Sequence, residues 1–521
     1  MSLEQAQTTQ SPDMRAAEAG LEFVDLNLVR PEPEALELTP GEFALRAQIL
    51  PLAIDGKALV VAMGSLASLP AVDDLGILLN RPVRPVLADP ARIRERIEEH
   101  FLEKILEGLP GDEAATEIDE TTDLADLQKM AGETAVVQMV NLIFAQAVRD
   151  GASDVHIEPY EREIKVRYRV DGMLNEMMRP PKRMHAALVS RIKILGEMNI
   201  AERRLPQDGR IKLTIAGRQI DVRVSIVPTV FGERAVMRIL DKTAALMGLT
   251  ELGMQADTLA KFRRLIAMPH GIILATGPTG AGKSTSLYAA LQEIWSPTTN
   301  ILTIEDPVEY QVPGIGQIQV RPNIGLTFAN GLRSIVRQDP DVIMVGEIRD
   351  HETAEIAIHA ALTGHLVFST LHTNDAAGAI ARLLDMGVEP YLVASSLIGV
   401  IAQRLVRKVC ANCGKADQPS AEALRAVGIE PTEKRAPWRR GPGCEKCQGT
   451  GFRGRQGLYE ILLVDEEVRH LTVEHRSAAE IKTYASKAQE MRTLLGDGKL
   501  SVLAGRTTPE EVLRVCQREE F

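Results

Sequence analysis

The chain has 521 residues, and because a domain usually holds about 100–200 residues this length predicts about three domains. Hydrophobic residues make up 45% and charged residues 25%, which is typical of a globular protein and excludes a disordered or fibrous one. The net charge of −11 is uneven, because residues 1–130 hold 11 basic and 25 acidic residues, a balance of −14. Since only 4% of the residues are aromatic as well, we expect no nucleic-acid partner.

Neither a transmembrane segment nor a secretory signal is predicted. Apolar runs such as residues 271–275 are much shorter than the ~18 residues that cross a bilayer. A signal peptide has a basic stretch followed by an apolar one, and the first residues of this chain have neither. We therefore expect a cytoplasmic protein whose association with any membrane is indirect.

The front of the chain predicts a small α/β domain over residues 21–110, behind a polar, flexible tail at 1–20. Two β-rich pieces, 49–54 and 58–63, flank the turn Asp55-Gly56 and predict a hairpin.

A helix and a linker are predicted after this hairpin. Apolar residues recur every fourth position over 91–109 and predict a helix with one buried face: Ile93, Ile97, Phe101 and Ile105. The acidic stretch at 111–127 has no such pattern and is interpreted as a linker.

A second domain, of the α+β class, is predicted over residues 128–241. It opens with a helix at 135–149. Its strands are predicted from alternating apolar residues at 164–170, 211–215, 219–227 and 234–240.

Asp154, His156 and Glu158 alternate near the start of this domain, so they share one face of a predicted strand. Three such side chains resemble a metal site, but no further ligand lies nearby in the sequence. A polar structural or subunit-contact face is the preferred interpretation.

The third domain, residues 254–521 after a linker at 242–253, opens with a nucleotide-binding motif. Residues 277–284 match G-x-x-x-x-G-K-[ST] between an apolar strand and a helix-compatible stretch. Such a loop points backbone N–H groups at phosphates, with Lys283 on the β- and γ-phosphates of ATP and the Ser284 hydroxyl on Mg²⁺. The predicted nucleotide-binding residues are Gly277, Pro278, Thr279, Gly280, Ala281, Gly282, Lys283, Ser284 and Thr285.

Two further strands of this domain end in carboxylates. One runs from Asp341 to Glu347, and the other ends in the acidic box at 305–309, which includes Glu309. A carboxylate in such a position can reach the metal or the attacking water. Spacing does not decide whether Glu347 or Glu309 is the general base.

Other polar residues are candidates for contact with the phosphates. His372 follows an apolar strand and could hydrogen-bond a γ-phosphate or relay the nucleotide state. A guanidinium brought across a domain or subunit boundary commonly neutralises phosphoryl charge. The candidate arginines are Arg223, Arg238, Arg333, Arg337 and Arg349.

Four cysteines predict a structural zinc site. They form two C-x₂-C pairs, Cys410 with Cys413 and Cys444 with Cys447, and residues 414–443 must loop out between the pairs. Four thiolates leave no position for a reactive water, so the predicted zinc is not catalytic. The fifth, Cys516, is expected to be an ordinary thiol.

Taken together, these motifs resemble the ATPases of the type II/type IV secretion superfamily, most closely the general secretion pathway (GspE) family. The resemblance covers about residues 130–515. It rests on the P-loop, the four cysteines and the boxes at 151–159, 205–210, 305–309, 346–350 and 364–374.

The resemblance implies an α/β fold with three parts: a small N-terminal α/β domain, a PAS-like α+β middle domain and a RecA-like ATPase domain. The last carries an inserted zinc subdomain at about 405–458 and C-terminal helices at 465–521. It further implies that Arg210, Arg223 and Arg238 reach the phosphates and that Glu347 is the Walker B acid.

The resemblance also implies a biological role. The protein would form a homohexamer at the cytoplasmic face of the inner membrane and hydrolyse ATP to drive pseudopilus assembly and protein export. Its N-terminal domain would bind a GspL-like membrane protein, and its motion would act on a GspF-like platform.

Three alternatives stay open on the sequence. A type IV pilus assembly ATPase has the same chemistry and ring, and the short front end favours type II secretion. Pilus retraction motors resemble the core but lack the four cysteines, which count against that group. A ring-shaped nucleic-acid translocase with a zinc ribbon is disfavoured by the acidic front. A non-hydrolytic nucleotide sensor is disfavoured by the two acidic boxes, because binding alone needs no positioned base.

Overall fold

The computed structural model describes residues 20–96 with short gaps, 134–215, 218–241, 247–430 and 438–516. The chain separates into two compact units, which divide close to residue 240. Residues 1–19 of the tail predicted at 1–20, the linker predicted at 111–127, residues 242–246 of the linker predicted at 242–253, and almost all of the predicted helix at 91–109 lie outside the described residues. The rest of the second linker includes a short 3₁₀ helix, Leu249–Leu252. Within the described residues, no helix combines the length and apolar character needed to cross a bilayer.

The first unit begins with a three-stranded sheet. The predicted hairpin is confirmed, because β1 (Ile49–Asp55) pairs antiparallel with β2 (Ala58–Met63). β2 also pairs in parallel with β3 (Val83–Leu87), and α1 (Pro33–Glu37) and α2 (Leu69–Leu79) belong to the same part of the chain. Successive residues of β2 are buried on opposite faces, so both faces of this small sheet are covered.

A six-stranded sheet with the order β6-β5-β4-β9-β8-β7 follows in the same unit. The predicted helix and the four predicted strands are present as α3, β5, β7, β8 and β9. The elements are α3 (Thr134–Arg149), β4 (Asp154–Pro159), β5 (Ile164–Val170), β6 (Met173–Met178), α4 (His185–Leu195), β7 (Gln207–Ile215), β8 (Arg218–Thr229) and β9 (Gly232–Asp241).

The alternating polar residues of β4 are buried and paired with arginines. Asp154 accepts a hydrogen bond from Arg238 at 3.0 Å, and Glu158 accepts one from Arg167 at 2.7 Å. His156 Nδ1 lies 3.2 Å from a guanidinium nitrogen of Arg234. Because the carboxylates are neutralised by arginine, this arrangement agrees with the preferred interpretation of a polar structural face.

The second unit is built on a seven-stranded sheet with the order β12-β11-β13-β14-β10-β15-β18, in which only β18 runs antiparallel to its neighbour. Its strands are β10 (Gly271–Thr276), β11 (Ile301–Glu305), β12 (Gly316–Gln319), β13 (Val342–Val345), β14 (Leu366–Leu371), β15 (Leu397–Val409) and β18 (Phe452–Leu463). The helices before and between these strands are α5 (Ala256–Ile266), α6 (Lys283–Ile294), α7 (Phe328–Ile335), α8 (His351–Leu362), α9 (Ala376–Asp385) and α10 (Pro390–Ser396). The predicted α/β class is therefore confirmed.

The remaining elements of this unit lie between β15 and β18 and after β18. A two-stranded ribbon, β16 (Lys415–Ala416) with β17 (Arg439–Arg440), and α11 (Ala421–Ala426) occupy the stretch between the two cysteine pairs. Four helices end the described chain: α12 (Glu466–Val473), α13 (Ala478–Ala488), α14 (Leu494–Leu503) and α15 (Pro509–Val515).

Parallel strands place the predicted chemistry at one edge of this sheet. β10, β11, β13 and β14 are neighbours and all run in the same direction, so their carboxyl ends meet at the same edge. Ligands of open α/β sheets bind outside the carboxyl ends of the strands. The P-loop follows β10, the acidic box follows β11, Glu347 follows β13 and His372 follows β14.

Candidate functional site

The P-loop connects β10 to α6 through residues that require glycine. Gly277, Gly280 and Gly282 have φ values of 146°, 78° and 87°, a region that other residues rarely adopt. At Gly277 a Cβ atom would also lie 2.5 Å from the carbonyl oxygen of Gln403. At Gly277 both the backbone conformation and the close packing therefore require glycine. The loop ends directly at the amino end of α6.

Lys283 is buried at the first position of α6. Its Nζ donates hydrogen bonds to the carbonyl oxygens of Gly277 at 2.7 Å and Pro278 at 3.2 Å. Burial lowers the pKa of Lys283 to about 8, and the nearby negative charge of Glu347 partly opposes this effect. A buried cation held by loop carbonyls is suited to exchange these partners for phosphate oxygens.

Glu347 and His372 are brought together by neighbouring strands. His372 Nε2 lies 3.5 Å from a carboxylate oxygen of Glu347, whose side chain is only 14% exposed. The other carboxylate oxygen forms an ion pair with Arg349. Two predicted candidates thus occupy one group of charged side chains, and the field of Glu347 reaches Lys283.

The acidic box after β11 contains two very different carboxylates. Glu305 is 4% exposed and accepts hydrogen bonds from the hydroxyls of Tyr288 and Thr303 and from the amide of Gln317. These donors stabilise Glu305 in place and occupy both of its oxygens, so it is a poor candidate for a base. Glu309 is only partly buried, which leaves Glu347 and Glu309 as the two candidates.

The candidate arginines are divided between the two units. In the second unit, Arg349 pairs with Glu347, and Arg333 is paired with Glu352 of α8 at 2.5 Å. Arg210, Arg223 and Arg238 belong to the first unit, where Arg210 is exposed on β7 and Arg238 pairs with Asp154. Their approach to the phosphates stays a prediction.

Two residues beside the P-loop were not predicted from the sequence. Gln403 and Arg404 are buried in β15, 1% and 8% exposed, and the Gln403 amide accepts a hydrogen bond from Ser286 of α6 at 2.9 Å. The available signal was an adjacent amide and guanidinium inside the otherwise apolar stretch 397–406, because buried polar groups need partners.

The four predicted metal ligands converge beyond the end of β15. All four cysteine Sγ atoms lie within 4.8 Å of one another, and neighbouring pairs are 3.6 to 3.9 Å apart. A tetrahedral site with Zn–S bonds of ~2.3 Å has S···S distances of ~3.8 Å, so the cluster fits zinc. Among the described residues this is the one group of side chains arranged to hold a metal. Cys516 is buried and lies outside it.

Comparison with known proteins agrees with this geometry. The profile of the family described as "Type II/IV secretion system protein" matches residues 129–514, and the MshEN domain profile matches residues 19–105. The type II secretion system protein HxcR of Pseudomonas aeruginosa is 53% identical over 78% of this chain and 82% of its own length. The type IV pilus assembly ATPase PilB of Myxococcus xanthus is 43% identical over 98% of this chain and 91% of its own.

Among solved structures, the pilus retraction motor PilT with bound ADP matches 72% of this chain and 96% of its own chain, with 26% sequence identity and a TM-score of 0.50. The chain belongs to the type II/IV secretion system protein family. It is an ATP-hydrolysing enzyme of that family.

Proposed function

We propose that this protein is the motor ATPase of a type II secretion system and that it hydrolyses ATP to drive pseudopilus assembly and protein export. The convergence of Lys283, Glu347 and His372 at one sheet edge is the observation that carries the hydrolytic part. Several type II secretion relatives support this assignment, among them one that is 53% identical over 78% of this chain. Over nearly the whole chain a type II relative and a pilus assembly ATPase are equally similar, at 43% identity each.

The P-loop and its helix would bind the nucleotide. Backbone N–H groups of residues 277–285 would surround the phosphates, and Lys283 would exchange its carbonyl partners for the β- and γ-phosphate oxygens. Ser284 would ligate Mg²⁺, which supplies neutralisation of phosphate charge when it is bound. No other residue of the loop needs a reactive side chain for this task.

Glu347 is the residue we assign to the attacking water. Its pairing with Arg349 and its proximity to His372 hold the carboxylate at the edge where a γ-phosphate would lie. Glu309 is the alternative base. His372 would hydrogen-bond the γ-phosphate, and Arg210, Arg223 and Arg238 would neutralise phosphoryl charge.

The cysteine cluster would hold a structural zinc ion. Cys410, Cys413, Cys444 and Cys447 would supply four thiolates and stabilise the insertion between β15 and β18. No position would be left for a reactive water, so the metal would contribute to folding and not to hydrolysis.

The assembly we propose is a homohexamer that acts at the cytoplasmic face of the inner membrane. The domain at residues 21–110, which overlaps the MshEN match, would bind a GspL-like membrane protein. The ring would act on a GspF-like platform. This assignment is supported by the names of the type II relatives and leaves the same ATP chemistry for the pilus alternative.

The test replaces the chromosomal gene of the source organism by its Lys283→Ala variant. We expect loss of exported type II cargo from the medium, normal surface pili, and no phosphate release by the purified variant. Loss of pili with normal export would move the assignment to pilus assembly. DNA-stimulated hydrolysis by the wild-type protein would instead support a translocase, and unchanged hydrolysis by the variant would overturn the site.

A further inference from the structure

Two adjacent buried polar residues lie where the P-loop leaves the sheet. β15 pairs with β10 up to Thr276 and Ala402, so Gln403 and Arg404 follow directly beside the start of the loop. They are 1% and 8% exposed. Burying an amide and a guanidinium is costly unless both are hydrogen-bonded, so their contacts need an explanation.

Gln403 packs against both ends of the P-loop. Its side-chain oxygen accepts a hydrogen bond from the Ser286 hydroxyl at 2.9 Å. Cβ atoms built on Gly277 and Gly282 would lie 2.5 Å from its carbonyl oxygen and 2.8 Å from its side-chain nitrogen. The residue therefore determines how closely the loop lies on the sheet.

Successive side chains of a strand point to opposite faces, so Arg404 points away from Gln403. It reaches the turn that follows β14. Its Nη2 donates to the carbonyl oxygen of Asn374 at 2.9 Å and to the side-chain oxygen of the same residue at 3.3 Å. Its Nη1 donates to the carbonyl oxygen of Gln403 at 3.1 Å and lies 3.1 Å from where a Cβ of Gly277 would be. The guanidinium thus lies beside the first residue of the P-loop and donates hydrogen bonds to the turn that carries His372.

A second connection joins the same turn to β10. The backbone N–H of Thr373 donates to the Thr276 hydroxyl at 2.8 Å. Thr276 holds the turn to the strand before the P-loop, while Arg404 holds it to the strand on the other side. The turn is therefore bound at two successive residues, directly after His372.

The hydrogen-bond partners of Arg404 are uncharged oxygens. Burial lowers the pKa of its guanidinium, which shows that the site is poorly solvated for a cation. Interactions with Cys516, Glu460 and Asp375 partly oppose this lowering of the pKa. The guanidinium of Arg404 donates hydrogen bonds in two directions, which a shorter apolar side chain cannot do.

We propose that Arg404 is a positioning residue for ATP hydrolysis: it sets the distance between the P-loop and the turn that carries His372. This rests on the proposed roles of Lys283 and His372. Without the guanidinium the P-loop still binds nucleotide, but His372 is no longer held at the γ-phosphate. The expected effect is therefore on turnover and not on affinity.

The experiment compares full-length Arg404→Gln and Arg404→Lys with wild type and with Arg469→Gln, a control at an exposed arginine of α12. Steady-state kcat and KM for ATP, the Kd of a fluorescent ADP analogue and the thermal unfolding midpoint are measured for each. We expect Arg404→Gln to lower kcat about tenfold or more, since small misplacements cost that much, with Kd within about threefold. Arg404→Lys recovers part of the loss, and the control matches wild type.

Two results would overturn the proposal: an unchanged kcat, or a parallel loss of nucleotide affinity and unfolding midpoint, which a merely structural role produces. If Arg404→Gln does not fold, Arg404→Lys decides, because one ammonium cannot reproduce both directions of donation. A kcat equal to wild type with lysine then refutes the role. Lys283→Ala serves as the site control, because activity in that variant would overturn the proposed site itself and not only the role of Arg404.

Discussion

The carboxylate of Glu347 lies 3.5 Å from Nε2 of His372, although the two residues are 25 positions apart in the chain. Each follows the carboxyl end of one of two neighbouring parallel strands, β13 and β14. The same carboxylate faces Arg349 on its other oxygen. A base candidate is thus held between two potential cations at the edge where the P-loop ends.

Glu347→Gln keeps the shape of the side chain and removes its charge and basicity. We expect hydrolysis to fall by about 10²–10⁴-fold while ATP stays bound, because general-base catalysis contributes this much and the P-loop is unaltered. Phosphate release and retention of radiolabelled ATP measure the two effects. Glu309→Gln is assayed in parallel, and ATP trapping in that variant alone would transfer the role of base to Glu309.

Glu305→Ala is expected to damage the fold. It leaves the hydroxyls of Tyr288 and Thr303 and the amide of Gln317 without their buried acceptor. Since each unsatisfied buried donor costs about 1–3 kcal/mol, the unfolding midpoint should fall by several degrees. The exposed Glu389→Ala is the control. A midpoint equal to wild type, measured by differential scanning fluorimetry, would contradict a structural role for Glu305.

Metal content tests the cysteine cluster. We expect one zinc per chain in the purified protein and its loss in Cys444→Ser, because three thiolates hold zinc less tightly than four. Cys516→Ser, at a buried thiol outside the cluster, should retain the metal. Elemental mass spectrometry gives the ratio. A zinc-free wild-type protein with full activity and an unchanged unfolding midpoint would refute a structural zinc site.

We expect the ionisation of Asp497 to make the free energy of unfolding depend on pH. The side chain is 1% exposed, and burial raises its pKa to about 6 from an ordinary value of 3.8. The folded state therefore binds the proton more tightly than the unfolded state does, so this group makes folding less favourable as pH rises from about 3.8 to 6. The penalty is complete above that window and amounts to about 3 kcal/mol.

Asp497→Asn removes this titration. Relative to wild type, the variant should gain unfolding free energy as pH increases from 4.5 to 7 by about 2 to 3 kcal/mol at most. Thermal unfolding midpoints of both proteins across this range test the trend. A difference between them that is independent of pH would show that Asp497 does not titrate in this window.

Contiguous motifs were predictable because their chemistry is local. The three P-loop glycines, Lys283 and the spacing of each cysteine pair are written in short stretches whose physical requirements do not depend on distant residues. Two β-rich pieces around the turn Asp55-Gly56 also predicted the hairpin β1–β2, and alternating apolar residues predicted β5 of the middle sheet, because a period of two residues is typical of a strand.

Sequence alone determined that this chain has a nucleotide-binding loop, acids at the ends of buried strands and four cysteines in two pairs. Only the tertiary structure separated Glu305 from Glu347, because two of the three side chains that donate to Glu305 come from other elements, α6 and β12. It alone also brought Gln403 and Arg404 to the P-loop, since β15 joins β10 more than a hundred residues later. Hydrogen bonding between strands, and not order along the chain, decides which side chains meet at the edge of a parallel sheet.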